Sequence, residues 1–243
     1  MVIKDSVILI TGAAARVGRK IALHLASQGA HIAFSYYLES EPWQQTLTDV
    51  RNCGVMGIAV QTEIRSAEQV QHLVASTIEA FGRIDVLINN ASVWLKSPFL
   101  DISEADWDLA MDVNLKGAFL ASKAVAPFML QQQRGVIINI TDLSAFQVWP
   151  EYAHHSASKA GLVALTKSMA VELAPHVRVN AIAPGTVLLP DNAPPEKRRW
   201  AEEKSLLKRI GDPVDVAKVV EFLIQNDFTT GAVYFVDGGR SLV

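Results

Sequence analysis

A single cysteine, Cys53, stands in 243 residues, so no disulfide closes within the chain, and without paired Cys or His spacing a zinc site has no support. Charge of either sign is equally scarce in excess. The 22 Lys and Arg nearly balance the 25 Asp and Glu, and the resulting formal charge of −3 offers no electrostatic footprint for nucleic acid. No apolar run reaches bilayer-spanning length, and Met1 to Asp5 opens without the charged and apolar regions of a secretory signal. These absences predict a soluble cytoplasmic protein with no membrane partner. With 50% apolar and 19% charged residues the chain is not disordered, and it is long enough to bury an ample core as one domain, residues 1–243.

Short runs rich in β-branched residues recur at Val7 to Ile10, His31 to Ser35, Met56 to Gln61, Val86 to Asn89, Val136 to Ile140, Arg178 to Ile182 and Tyr234 to Val236. Helical patterns fall between them, near Arg16 to Gln28, Glu41 to Asn52, Ala67 to Phe81, Glu104 to Leu130, Ala153 to Ala174 and Pro213 to Gln225. This alternation predicts an α/β fold, a Rossmann-like doubly wound sheet of seven parallel strands with helices on both faces. The stretch from Gly185 to about Lys204, rich in proline and charge, is a lid candidate. Within it, Lys197, Arg198 and Arg199 read most simply as a solvated helical face.

The first strand runs into a helix through Thr11-Gly12-Ala13-Ala14-Ala15-Arg16-Val17-Gly18. Backbone N–H groups and the helix dipole at such a junction suit a pyrophosphate. Gly12 permits the tight turn and Gly18 close packing. Further along stand Asn89-Asn90-Ala91, Asn114, Asn180, Pro184-Gly185 and Asp237-Gly238-Gly239, and the stretch from Tyr152 to Gly161 opens a long helix. Asp142 precedes His155 by 13 positions, and Lys159 follows it by four.

Over nearly its whole length the chain resembles the short-chain dehydrogenase/reductase family, whose site usually reads Ser and then Tyr-x-x-x-Lys. Here Asp142 stands at the Ser position and His155 at the Tyr position. Asp142, Arg16 in its Thr-Gly-x-x-x-Arg-x-Gly setting, Ser92, and the aromatic Trp94 two positions on are similar to the pteridine reductases of that family. The resemblance implies a nicotinamide coenzyme held by Gly12, Arg16, Val17, Gly18, Ser35, Tyr36, Tyr37, Glu63, Asn90, Ala91, Ser92, Lys159, Pro184 and Gly185. It implies catalysis by Asp142, His155, Lys159 and Asn114. A flat, pterin-like substrate would contact Ser92, Trp94, Asp142, Tyr152, His155, Val187 and Leu189, and the chain would assemble as a homodimer or homotetramer.

Physical chemistry adds detail. A guanidinium at the adenosine end can take a 2′-phosphate bidentately, and the second strand ends in Ser35-Tyr36-Tyr37 with no acid for a free ribose, so NADP(H) is favoured over NAD. Reduction needs a proton donor, and imidazole titrates at about 6.5 where phenol titrates at about 10. The expectation is that Asp142 and His155 form a hydrogen-bonded pair that delivers it, with Lys159 on the coenzyme ribose. His154 next door is expected at the surface. Two alternatives stay open: a general carbonyl or alcohol reductase, and a catalytically impaired NADP-binding sensor or partner subunit.

Overall fold

The computed structural model describes residues 1–190 and 192–243. Its strands are β1 (Val7–Ile10), β2 (His31–Tyr36), β3 (Gly57–Gln61), β4 (Val86–Asn89), β5 (Gly135–Ile140), β6 (Val177–Pro184) and β7 (Val233–Val236). Its α-helices are α1 (Arg16–Ala26), α2 (Trp43–Asn52), α3 (Ala67–Phe81), α4 (Glu104–Met111), α5 (Gly117–Gln131), α6 (Ala153–Glu172), α7 (Pro195–Lys204) and α8 (Pro213–Gln225). The strands form one parallel sheet in the order β3-β2-β1-β4-β5-β6-β7. Chain order reverses between β1 and β4. The crevice beyond the carboxyl ends of those two strands is the place such a sheet offers to a ligand.

Both faces of the sheet are covered, so its central strands read as continuous apolar runs rather than alternating ones. Ile8 and Ile10 of β1 pack toward Ile21 and Leu25 of α1 and Val216 and Val220 of α8. Leu9, pointing the other way, joins Leu73 of α3, Val125 of α5 and Ile137 of β5. Two cores therefore clamp the sheet and hold its carboxyl edge rigid. Asp212 caps α8 in a reciprocal arrangement with Asp215, and Pro213 follows at the first helical position.

Two expectations change. The helix foreseen over Glu104 to Leu130 is interrupted by a wide π-type turn at Asp112–Lys116, which splits it into α4 and α5 and turns Asn114 inward. Such turns are frequent at functional sites, where the extra residue re-aims a side chain. The lid candidate is only partly irregular, since Pro195 starts α7 where its missing N–H costs nothing. No helix among the described residues is long and apolar enough to cross a membrane.

Candidate active site

A cavity of about 730 Å³ opens along the carboxyl edge of β1 and β4. At its centre the turn after β1 approaches the chain after β4 closely. Thr11 Oγ1 accepts from the N–H groups of Asn90 (3.0 Å) and Ala91 (3.1 Å), while Asn90 Nδ2 donates to the Thr11 (3.0 Å) and Gly12 (2.7 Å) carbonyls. Gly12 has φ +63°, and a Cβ there would meet Ala91 Cα at 2.9 Å; a Cβ at Gly18 would meet Asn90 Nδ2 at 2.5 Å. Any side chain at either position would collide with the chain after β4 and push apart the cradle at the N-terminus of α1. Gly12, Val17, Gly18, Asn90, Ala91 and Ser92 all line it.

At one end lie Arg16, Tyr37, Glu41, Glu63 and Arg65. Arg16 is exposed and has no ion pair among the described residues, and its φ of +55° is a left-handed conformation that favours glycine. Ser35 and Tyr36 stand behind this end. Ser35 Oγ accepts from the Gly12 N–H at 2.9 Å, and the Tyr36 hydroxyl donates to Glu39 at 3.0 Å while its ring stacks on Trp43. Arg65 donates to Glu63 Oε2 at 2.5 Å, which holds the Glu63 carboxyl below its ordinary value and the guanidinium above its own.

At the other end Asp142, Lys159, Ser92, Trp94 and Pro184 line the cavity. His155 Nε2 donates to Asp142 Oδ2 at 2.6 Å, and its ring is buried behind the aspartate rather than on the wall. Its other nitrogen, Nδ1, lies 3.2 Å from the Val93 carbonyl and 3.3 Å from Asn114 Nδ2. Asn114 takes the Val93 N–H (2.8 Å) and the Ser92 hydroxyl (3.0 Å) on its Oδ1, so the inward turn between α4 and α5 fixes both the imidazole and the β4 loop. Ser144 donates its N–H (2.8 Å) and hydroxyl (2.5 Å) to Asp142 Oδ1. Burial pushes the Asp142 carboxyl up, but the His155 hydrogen bond, the Lys159 charge and Ser144 outweigh it and hold the group below its usual range. Lys159 Nζ donates to the Ile140 carbonyl at 3.0 Å, and burial lowers its pKa despite Asp142.

An aromatic wall leads outward from the pair. The Trp94 ring sits 4.4 Å from the His155 ring and 4.8 Å from Tyr152, with Trp149 5.7 Å away. Trp94 is 53% exposed, so it is not a core residue. Beyond Trp149 the Arg240 guanidinium lies between that ring (5.0 Å) and Trp200 of α7 (4.9 Å), and it donates to Thr186 Oγ1 at 2.7 Å. The arginine thus ties α7 to the body.

The chain's similarity to known proteins follows the same geometry. A family model described as enoyl-(acyl carrier protein) reductase matches residues 12–241. The solved short-chain dehydrogenase/reductase of Serratia marcescens superposes with a TM-score of 0.93 at 30% identity, over 99% of this chain and 100% of that one. The chain belongs to the short-chain dehydrogenase/reductase family. Another structure of this group, 7α-hydroxysteroid dehydrogenase complexed with NADH and 7-oxoglycochenodeoxycholic acid, matches with a TM-score of 0.92 and 30% identity over 98% of this chain and 94% of that one. Among relatives of this short-chain dehydrogenase/reductase, the 3-oxoacyl-(acyl-carrier-protein) reductase of Synechocystis sp. is 37% identical, covering 96% of both chains. The 3-oxoacyl-(acyl-carrier-protein) reductase FabG of Staphylococcus epidermidis is 34% identical over 95% of this chain and 97% of its own. The protein is therefore an oxidoreductase of a family that works with nicotinamide coenzymes, and the glycine cradle of this chain has the shape for one.

Not every residue expected at the site borders the cavity. Val187 belongs to the core beside Val216, because the chain after Pro184 folds back against α8; Gly185 presses on Asp237, and Leu189 is half-buried off the cavity wall. His154, expected at the surface, is fully buried, and neither of its ring nitrogens has a partner among the described residues. The first turn of α6 is covered by α4, so positions 154 and 155 are both enclosed. Sequence reasoning missed Glu41, Arg65, Ser144 and the Trp149, Trp200 and Arg240 stack. Only Ser144, two positions after Asp142, carried a local signal, as a residue an Asp side chain reaches in a tight turn.

Proposed function

We propose that this chain is an NADPH-dependent oxidoreductase that reduces a planar, pterin-like substrate, of the dihydropterin-to-tetrahydropterin type, through Asp142, His155 and Lys159. One observation carries it: Asp142, backed at 2.6 Å by the buried His155, shares the cavity wall with Trp94, beside which a flat ring would lie. The coenzyme, when bound, supplies the hydride. Gly12, Val17 and Gly18 at the N-terminus of α1 would hold its diphosphate, with Asn90, Ala91 and Ser92 opposite. Arg16 would take the 2′-phosphate beside Tyr37, with Ser35 and Tyr36 buttressing the turn from behind and Glu63 fixing Arg65. Lys159 would bind the ribose near the reacting ring, against Pro184 and Gly185.

As a carbon of the C=N bond gains hydride, its nitrogen gains negative charge and needs a proton. Asp142 is the member of the pair that reaches the cavity. The proton starts on the imidazole: His155 Nε2 gives it to Asp142 Oδ2, which hands it on to that nitrogen, so the carboxylate is ionised before and after the step and the imidazole regains a proton from solvent. Asn114 and the Val93 carbonyl hold the ring during the exchange, and the charge of Lys159 keeps Asp142 ionised between turnovers. Such a positioned acid contributes about 10² to 10⁴ in rate. Trp94 and Tyr152 would flank the substrate, with Ser92 at its polar edge and Val187 and Leu189 shaping the far side through the loop they anchor.

A second reading, reduction of a simple carbonyl, is favoured by the 34–37% identity to proteins named 3-oxoacyl-(acyl-carrier-protein) reductases. The same pair would then protonate an alkoxide oxygen. Assembly as a homodimer or homotetramer belongs to the proposal, supported by Trp107, Phe119 and Val171 exposed on α4, α5 and α6. Oxidation of NADPH measured with dihydrobiopterin, simple ketones and 3-oxoacyl thioesters tests these readings. Turnover of the pterin above the rest supports the first; turnover of carbonyls alone replaces it with the second. Tight NADPH binding with no turnover at all leaves a coenzyme-binding sensor.

A further inference from the structure

We propose that Glu41 sets the coenzyme selectivity of this chain, as an internal anion seated where a 2′-phosphate has to lie. The inference deepens the coenzyme assignment above and rests on it. After β2 the chain makes a tight turn, in which the Glu41 N–H donates to the Leu38 carbonyl at 3.0 Å. The side chain then folds back, so that one oxygen, Oε1, accepts from two successive backbone N–H groups, those of Tyr37 (2.9 Å) and Leu38 (2.8 Å). Consecutive N–H groups converging on one point form a concavity that binds anions. It lies at the carboxyl end of β2, where a sheet of this order reads the adenosine ribose. Glu41 also shares the cavity wall with Arg16, Tyr37 and Arg65.

The charges at this end decide what enters. Arg16 has no ion pair among the described residues, whereas Arg65 is already bound to Glu63. Glu41 has no cationic partner among the described residues, and its hydrogen bonds come only from the backbone. Among the described residues, a cation without an ion pair and a carboxylate held only by backbone N–H groups therefore line the same end of the cavity, where a phosphate dianion would enter. The phosphate gains from Arg16 but must displace the carboxylate or bear its repulsion, and a coenzyme with a free 2′-hydroxyl meets neither effect. Cofactor choice is thus a balance between Arg16 and Glu41, not the result of Arg16 alone. No acid ends β2 itself; the turn brings this one back from four residues beyond Tyr37.

The test is Glu41→Gln, which keeps an oxygen for both N–H groups and removes the charge. Calorimetric titration with 2′-phospho-ADP-ribose and with ADP-ribose reads the adenosine end without the reacting ring, and NADPH and NADH are titrated in parallel. The expected result is about tenfold tighter binding of both phosphorylated ligands, with less than about threefold change for the others, and a difference that shrinks as salt is raised. Glu39→Gln is the control, because that carboxylate is turned to the Tyr36 hydroxyl and the Trp43 indole N–H and does not line the cavity. It should change neither affinity. Unchanged affinities, or equal changes for both ligand pairs, would reduce Glu41 to a staple of the turn. Weaker ADP-ribose binding alone would make it a hydroxyl acceptor, which also overturns the proposal. If Arg16→Gly proves silent while Glu41→Gln behaves as expected, the role given to Arg16 fails and that of Glu41 stands.

Discussion

His155 Nε2 stands 2.6 Å from Asp142 Oδ2, and of the two side chains only the aspartate reaches the cavity. In the proposed relay the imidazole is therefore the proton source behind a carboxylate gate. Ser144 pins the other carboxylate oxygen, so the gate has one orientation.

Arg16 pairs a conformational cost with a proposed binding gain. A non-glycine residue at φ +55° is strained by about 1 kcal/mol. Arg16→Gly should raise unfolding stability by roughly that amount and weaken NADPH binding by about 10- to 100-fold, with NADH little changed. Thermal melts and titration calorimetry check the two halves separately. Loss of stability, or equal loss for both coenzymes, would contradict the assignment.

Trp94 should matter to the substrate and not to the fold, since half its surface is exposed. Trp94→Ala is expected to raise KM for a dihydropterin by about 2- to 12-fold, the range of one stacking contact, while coenzyme affinity holds. Steady-state kinetics decides it. An unchanged KM would remove the ring-stacking role.

His154 should make the protein acid-sensitive. Its burial, with the charge of His155, lowers its pKa against a small opposing pull from Asp106. The unfolded chain protonates this residue at about 6.5 and the folded chain only at lower pH, so the unfolded state binds more protons in that window. Stability is then lost as pH falls below about 6.5. His154→Leu should remove part of that loss, giving a smaller drop in Tm between about pH 7 and about pH 5 than the wild type shows. Parallel slopes in the two proteins would rule the effect out.

Arg240 should hold the lid helix. Its two ring contacts are each of the order of 0.5–1 kcal/mol, and α7 has little else, with Ala201 its one buried residue. Arg240→Leu is expected to speed hydrogen exchange in α7 while leaving exchange in the central strands as it was. Unchanged exchange in α7 would show that the stack is incidental.

How much of this was legible in the sequence differs with the range of the interaction. The parallel sheet was readable because buried parallel strands are continuous apolar runs, and the cradle because Gly12 and Gly18 answer to local geometry. The pairing of Asp142 with His155 was foreseen from spacing and family likeness together. The burial of His154 was not, since it depends on α4 lying across α6, a contact between segments some fifty residues apart. The break at Asn114 escaped because a π-type turn keeps helical periodicity in its flanks. Glu41 escaped because a turn, not a strand, carries it back to the cavity, and Arg240 because its partners lie in three separate segments.

The pH dependence of kcat, measured with saturating NADPH and dihydrobiopterin for the wild type and for His155→Tyr, tests the proton relay most directly. The expected result is a profile that moves to higher pH in the variant, together with a changed rate, because a phenol is intrinsically a weaker acid than an imidazolium. Superimposable profiles with equal rates would contradict the relay, because the group at position 155 would then have no part in delivering the proton.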